Sequence, residues 1–455
     1  MTFVFYDLET TGISPAFDQP LQFAAILTDA DFKEVERINL RCRIAPHIIP
    51  SPWALAVTGL RPAQLDDPTL PSLLEFTQEI AHLIEKWSPA IWTGFNSIRF
   101  DEEMLRQAFY QNLRPDIFAT QFNGNTRFDI LTAIYAVWHR EPDLLEWPVD
   151  ETGRERFKLD RIAPLNVFRG HNAHDALGDV EATIHIARLI AQRAPTLWVE
   201  LLDNRDKAHV QARLERFQPM ALIERFGGGA PRATLGCFCG YSASNPNQAA
   251  FFDLEAADPA ELLNADDAVL FAAVDASPKI IRSLSINKSP ALLSLPAPTD
   301  AQWRHAEVIA NAPEFRARVA RALAARFPED PTAPPPPVEE QIFGGFYSHA
   351  DKALLMEFQR ADWRARQEIV AALSDARLRQ LGSRLVAFYA PELLSQTERA
   401  RYHTWLRDRW SAPDVPETAW MTIGKAQRAL EEMQSAAQID PALIDEIGVH
   451  LSRFA

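Results

Sequence analysis

The chain opens on an apolar run, Phe3-Val4-Phe5-Tyr6, that leads into Asp7-Leu8-Glu9-Thr10-Thr11-Gly12 and predicts a strand over Phe3 to Glu9. Further runs at Gln22 to Thr28 and Arg37 to Ile44 make three strands in succession, the order of an antiparallel meander. The period then changes. Ser51-Pro52 opens a short helix, with serine at the N-cap and proline at the first helical position, and Gly59 closes it. Leu73, Phe76, Ile80, Leu83, Ile84 and Trp87 fall at helical spacing. Ala90 to Phe95 then reads as a buried strand, and a helix from near Phe100 carries Met104, Leu105, Ala108 and Phe109 on its apolar face. Val180, Ile184, Ala187 and Ile190 predict one more helix, which stops before Pro195.

Three strands followed by helix, strand and helix is the order of a ribonuclease-H-like α/β domain, with helices on a mixed sheet. No Gly-x-Gly-x-x-Gly is present to indicate a dinucleotide-binding domain instead. Farther along, short apolar runs at Ala233 to Phe238, Ala249 to Leu254, Ala268 to Val274 and Ile280 to Ile286 predict strands of a small barrel or sheet. Gly227-Gly228-Gly229 is not a phosphate-binding loop, because no Gly-Lys-Ser/Thr follows it. The proline-rich stretch Pro328 to Pro337 predicts an extended linker. Beyond it, Lys352 to Ser374 and Gln396 to Trp410 carry helical spacing. The expected organisation is an α/β domain over residues 1–193, a small barrel or sheet domain over 194–333 and a helical domain over 338–455.

Composition narrows the class. With 455 residues, 47% of them hydrophobic, the chain can bury a large core. Cys42, Cys237 and Cys239 are too few for a disulfide framework, and Cys237-x-Cys239 lacks the second ligand pair of a zinc site. The first residues enter a strand directly, and no run approaches the ~20 apolar residues of a membrane span, so a cytoplasmic protein is expected. A formal charge of -15 argues against a surface that coats nucleic acid throughout. It leaves room for a local basic groove: between Asp275 and Asp300 there is no acid, while Lys279, Arg282 and Lys288 fall inside that window.

Side chains two apart on a strand share a face, so Asp7 and Glu9 point into one spot. Like charges held that close repel unless a cation sits between them, which makes the pair a candidate for a divalent metal; a solvated strand end is the alternative. In Gly94-Phe-Asn-Ser-Ile-Arg-Phe-Asp101 an acid follows a buried strand at the start of a helix, where the dipole favours an anion whatever its role. His171-Asn-Ala-His174-Asp175-Ala-Leu-Gly-Asp179 leads into the later helix. Five helical residues turn about 500°, so His174 can join Asp179 in one site only from the loop or first turn, with Asp175 as the N-cap. His171 reads as a loop histidine, since further nitrogen or sulfur ligands for zinc are not evident.

Together these residues resemble the four-acid-plus-histidine 3'-5' exonuclease superfamily. The blocks Gln22-Phe-Ala-Ala-Ile26, Asn96-Ser-Ile-Arg-Phe-Asp101, Asn172-Ala-His-Asp-Ala176, Ile286-Asn-Lys-Ser-Pro290 and Gly345-Phe-Tyr-Ser-His-Ala-Asp351 are similar to the bacterial exodeoxyribonuclease I family. That resemblance implies an exonuclease domain joined to an SH3-like barrel and a helical C-terminal domain. It also implies a magnesium-dependent enzyme that releases 5'-mononucleotides from the 3' end of single-stranded DNA, processively, in repair and recombination. Asp7, Glu9, Asp101 and Asp179 would hold two magnesium ions, or manganese in their place, with Asp7 bridging. His174 would take the proton of the attacking water, as a general base and not a ligand. Glu9, Lys158, Arg106, Asn287 and Lys288 match substrate-contact positions. Lys158 stands where the family usually has arginine and so loses the bidentate fork. Arg106 could equally be a solvated helix arginine. The acidic tail of single-stranded DNA-binding protein is an implied partner, with Arg316 as a contact, and the expected state is a monomer. An RNA-trimming enzyme with the same acids and a non-catalytic DNA-binding scaffold are the alternatives.

Overall fold

The computed structural model describes residues 1–169, 175–326, 332, 334–435 and 439–454. Its first sheet contains β1 (Phe3–Thr10), β2 (Pro20–Thr28), β3 (Glu34–Arg41), β4 (Ile91–Gly94) and β5 (Thr126–Asp129), in the order β3-β2-β1-β4-β5. β1 to β3 pair antiparallel, and β4 and β5 continue parallel to β1, so the sheet is mixed.

The predicted strand alternation decides which helices cover which face. Val4, Tyr6 and Leu8 pack with Phe76, Ile80 and Ile84 of the helix Leu73–Trp87 and with Met104 and Phe109 of the helix Asp101–Gln111. Phe3 and Phe5 enter the opposite core, with Val180, Ile184 and Ile186 of the helix Ala176–Arg193. Asp7 and Glu9 continue that second row. The sequence thereby directs both carboxylates toward the helix that carries Asp179.

The second sheet is antiparallel, with β6 (Met220–Glu224), β7 (Arg232–Tyr241), β8 (Gln248–Asp253), β9 (Ile281–Ser285) and β10 (Leu292–Ser294) in the order β10-β6-β7-β8-β9. No pairing joins its edges β9 and β10 among the described residues, so the expected barrel is an open sheet there. Ala268 to Val274, predicted as a strand, lies in a helix, Asp267–Asp275. A short apolar run does not reveal its period. Here Asp266 caps the helix by accepting from Val269 N, and Leu270, Ala273 and Val274 are buried at helical spacing. β6 and β10 were not predicted. Ala221 and Ile223 of β6 and Leu293 of β10 join the same core as Phe3 and Phe5, so apolar packing is continuous across residue 193.

The C-terminal segment is helical, as its spacing predicts, but Lys352 to Ser374 forms two helices, His349–Phe358 and Trp363–Ala372, the second capped by Asp362. It packs against the N-terminal half through Met433 and Ile447 on Ile49 and Leu55, and through Leu355 and Phe358 in a cluster with Tyr110 and Leu113. Pro334 to Pro337 carry no helix or strand; part of the predicted linker lies outside the described residues. All three cysteines are buried and unpaired. No helix among the described residues is long and apolar enough to cross a membrane.

Candidate active site

One carboxylate oxygen from each of Asp7, Glu9 and Asp179 lies within 4.8 Å of the others. Asp7 and Glu9 come from the end of β1, and Asp179 from the first turn of the helix Ala176–Arg193. Asp101 approaches from the other side. β4 ends at Gly94, and beyond that end Leu8 N donates to Asp101 Oδ1 at 3.0 Å. The fourth acid is thus fastened to the residue between the first two.

The electrostatics are adverse without a cation. Burial pushes the Asp7 carboxyl well above the usual range, and Asp101, Glu9 and Asp179 push it further. Burial and then Asp179 and Asp101 raise Glu9 to about 8, with only Arg41 opposing. Asp101 is also raised to about 8, chiefly by burial, against the hydrogen bond from Leu8. Three hard oxygen donors that converge yet cannot all ionise alone fit a divalent metal.

Asp129, which the sequence reading missed, supports this arrangement. Its carboxylate accepts from Asn96 N at 2.9 Å, Ile98 N at 3.2 Å and Leu131 N at 3.0 Å. The first two bonds hold the loop that leads to Asp101, and the third caps the helix Ile130–Arg140. Burial raises Asp129 to about 6 despite those donors. Its only signal in the sequence is an acid just ahead of an apolar helical run, which is what any cap looks like. Asp175 occupies the expected N-cap position but makes no capping bond; its Oδ1 accepts from Gln22 Nε2 at 3.0 Å and lies 3.9 Å from Arg41. His171 and His174 fall outside the described residues.

Beside the acids opens a cleft of about 630 Å³, lined by Asp7, Asp179, Lys158, Arg99, Phe157 and Arg225, among others. Lys158 is exposed there, immediately before the helix Leu159–Leu165.

Two family models match the chain, one described as Exonuclease over residues 4–187 and one as Exonuclease I C-terminal domain over residues 336–449. Exodeoxyribonuclease I of Escherichia coli is 28% identical over 431 residues, 90% of this chain and 89% of that protein. The Haemophilus influenzae enzyme is 36% identical over 211 residues, 46% of this chain and 44% of that one. E. coli exonuclease I solved with a dA16 oligonucleotide superposes with a TM-score of 0.85 at 26% identity, covering all of both chains. A solved complex of SSB with exonuclease I and the inhibitor CFAM gives 0.83 at 25% identity, covering 100% of this chain and 99% of that one. The chain belongs to the exodeoxyribonuclease I family. It is accordingly an exonuclease, and it superposes on that solved relative along the whole chain.

The remaining predicted contacts are placed unequally. Arg106 is only 5% exposed. Its guanidinium donates to Glu102 Oε1 at 2.9 Å and Glu103 Oε2 at 2.8 Å and lies over the Phe118 ring, so it faces inward and not a groove. Lys288 Nζ is 3.5 Å from Glu103 Oε1, and the Asn287 carbonyl accepts from Arg127 Nη2 at 2.8 Å. These contacts bring the second sheet onto the helix that begins with Asp101. The acid-free window does not form one patch: Lys279 turns to the Val274 carbonyl and Arg282 lies over Phe226. Arg316 donates to the Ile309 carbonyl at 2.7 Å and lies over Phe217, half-buried at the end of the helix Asp300–Ala310.

Proposed function

We propose that the protein is a magnesium-dependent 3'-5' exonuclease that degrades single-stranded DNA to 5'-mononucleotides in repair and recombination. The observation that carries this reading is the convergence of Asp7, Glu9 and Asp179 oxygens within 4.8 Å beside a cation-lined cleft. Two magnesium ions, or manganese in their place, supply when bound the Lewis acidity needed at both the attacking and the leaving oxygen of a phosphodiester. Asp7, Glu9 and Asp179 would hold them, and Asp101 would complete the set from its anchored position on Leu8. Glu9 also meets the terminal nucleotide, and Lys158 neutralises a phosphate at the lip of the cleft. His174 takes the water proton. Asn287 and Lys288 border the path of the strand from the second sheet. The relatives solved with an oligonucleotide and with SSB support single-stranded DNA as substrate and the SSB tail as partner, with Arg316 the contact. The enzyme acts as a cytoplasmic monomer.

The test is digestion of end-labelled single strands, duplexes and RNA by wild type and Asp179→Ala, with magnesium or a chelator. Shortening of single-stranded DNA from the 3' end, dependent on magnesium and lowered at least about 10³-fold by the substitution, is expected. Rapid loss of RNA with intact DNA would overturn the substrate, and a wild type inactive on every strand would leave a binding protein.

A further inference from the structure

Arg225, the first residue beyond β6, reaches the first half of the molecule. Along β6, Met220 and Leu222 point into the second sheet's own cluster, while Ala221 and Ile223 point into the core shared with β1. Arg225 follows two residues after Ile223 and keeps that second direction. Its guanidinium lies over the Phe157 ring, 5.0 Å from the centroid, beside the Tyr135 hydroxyl. Its Nε–H donates to the Gly229 carbonyl at 2.7 Å, across the turn that joins β6 to β7, and the side chain lines the cleft. The triple glycine, unassigned from the sequence, is thus the turn that seats this arginine.

The cleft lining carries both signs of charge. It includes Asp7 and Asp179 and also Arg99, Lys158 and Arg225, none of which is in an ion pair with a carboxylate among the described residues. Asp160, the remaining acid in the cleft wall, is 3.6 Å from Arg161. A half-buried guanidinium fixed by a ring and a backbone carbonyl, with no acid to neutralise it, is preorganised for an anion with two oxygens to offer.

We propose that Arg225 is a phosphate-binding residue, contributed by the second sheet to the catalytic cleft, which grips the backbone of the strand next to the metal carboxylates. It supplies the planar fork that Lys158 does not. The inference rests on the exonuclease reading and names a contact that the sequence does not reveal, because it depends on where β6 packs.

The experiment measures binding of a labelled oligothymidylate of about 15 nucleotides to the full chain over a range of sodium chloride, with calcium in place of magnesium. Arg225→Ala and Arg225→Gln are compared with wild type, and thermal unfolding is followed in parallel. Both variants should bind about tenfold more weakly, and the slope of log affinity against log salt should flatten by about 0.7, one phosphate contact on a single strand. Arg225→Lys should restore the slope and only part of the affinity. In magnesium, KM should rise more than kcat falls. If Arg225 merely staples the Gly227–Gly229 turn, the variants lose thermal stability with an unchanged salt slope, and the proposal is overturned. Arg225→Gln retains a donor for the Gly229 carbonyl and keeps the test decisive where the alanine variant does not fold. A wild type that neither binds nor digests the strand defeats the exonuclease reading itself, whereas an active wild type with an unaltered slope in the variants defeats only the role of Arg225.

Discussion

Asp7 is half-buried, and the groups that press on it most after desolvation are other acids. Its folded-state pKa lies above that of the unfolded chain, as do those of Glu9 and Asp101, both about 8. The unfolded chain therefore ionises first, and metal-free stability is full below about pH 4 and lost as pH rises through the folded values. Denaturant unfolding in a chelator should show wild type weakening from pH 5 to pH 9. Asp7→Asn should weaken less, and at pH 8 it should be the more stable protein without metal. The same variant should lose at least about 10²-fold in nuclease rate and most of the rise in Tm that magnesium gives wild type. A wild type whose stability is flat over that range would sink this account of the carboxylates. Because metal must displace the remaining protons, calorimetry in buffers of different ionisation heat should register proton release on magnesium or manganese binding at pH 7, shrinking toward pH 9.

The element that delivers Asp101 is the loop between β4 and its helix, and it is held at both ends. At Gly94 an added Cβ would lie 2.5 Å from the Tyr6 carbonyl, so the close approach of β4 to β1 requires glycine there. Asn96 is left-handed at φ 63°, a conformation that frees its N–H and that of Ile98 to reach Asp129. Asp129→Ala would leave those buried donors unpaired, at a cost of about 1–3 kcal/mol each. It should raise the magnesium concentration needed for half-maximal rate, an effect visible in metal titrations beyond any loss of Tm; an unchanged titration would show that Asp101 does not depend on this support. Elements of this kind were legible to different degrees. β1, β2 and β4 announce themselves as apolar runs buried on both faces, and the helices around them by an apolar face at helical spacing. Ala268 to Val274 did not, because so short an apolar run fits strand and helix alike, and β6 and β10 are short enough to vanish beside their neighbours. The acids of β1 were readable from their spacing, whereas Asp129 and Arg225 acquire roles only from tertiary contacts that local sequence cannot express.

Between the parts of the molecule, buried charge does the joining. In the C-terminal half, Glu339 is 1% exposed and meets Arg384 at 2.8 Å and Arg409 at 3.0 Å. Glu339→Gln should destabilise by about 3–5 kcal/mol, since it strands two guanidiniums, and chemical denaturation measures this directly. The joint between the two sheets is centred on Glu102, 3% exposed, which accepts from the Tyr6 hydroxyl on β1, from Thr120, from Gln121 and from Arg106. Arg127 on β5 lies 3.4 Å from the same carboxylate and extends its other terminal nitrogen to the Asn287 carbonyl. Glu102 immediately follows Asp101, so the backbone that presents this acid also anchors the loop of the second sheet. Replacing Arg127 with methionine keeps much of the volume, removes the bond to Asn287 and leaves Glu102 paired to Arg106. The strand path should then loosen without any change to the acids. With a trap for free enzyme, the variant should release long oligonucleotides after fewer cleavages per encounter, while its rate on strands of a few nucleotides stays near wild type. A uniform fall on all lengths would mean that the Arg127 bond supports the acid site itself, and unchanged run lengths would mean that the second sheet keeps its place through the shared core of Ala221, Ile223 and Leu293 alone.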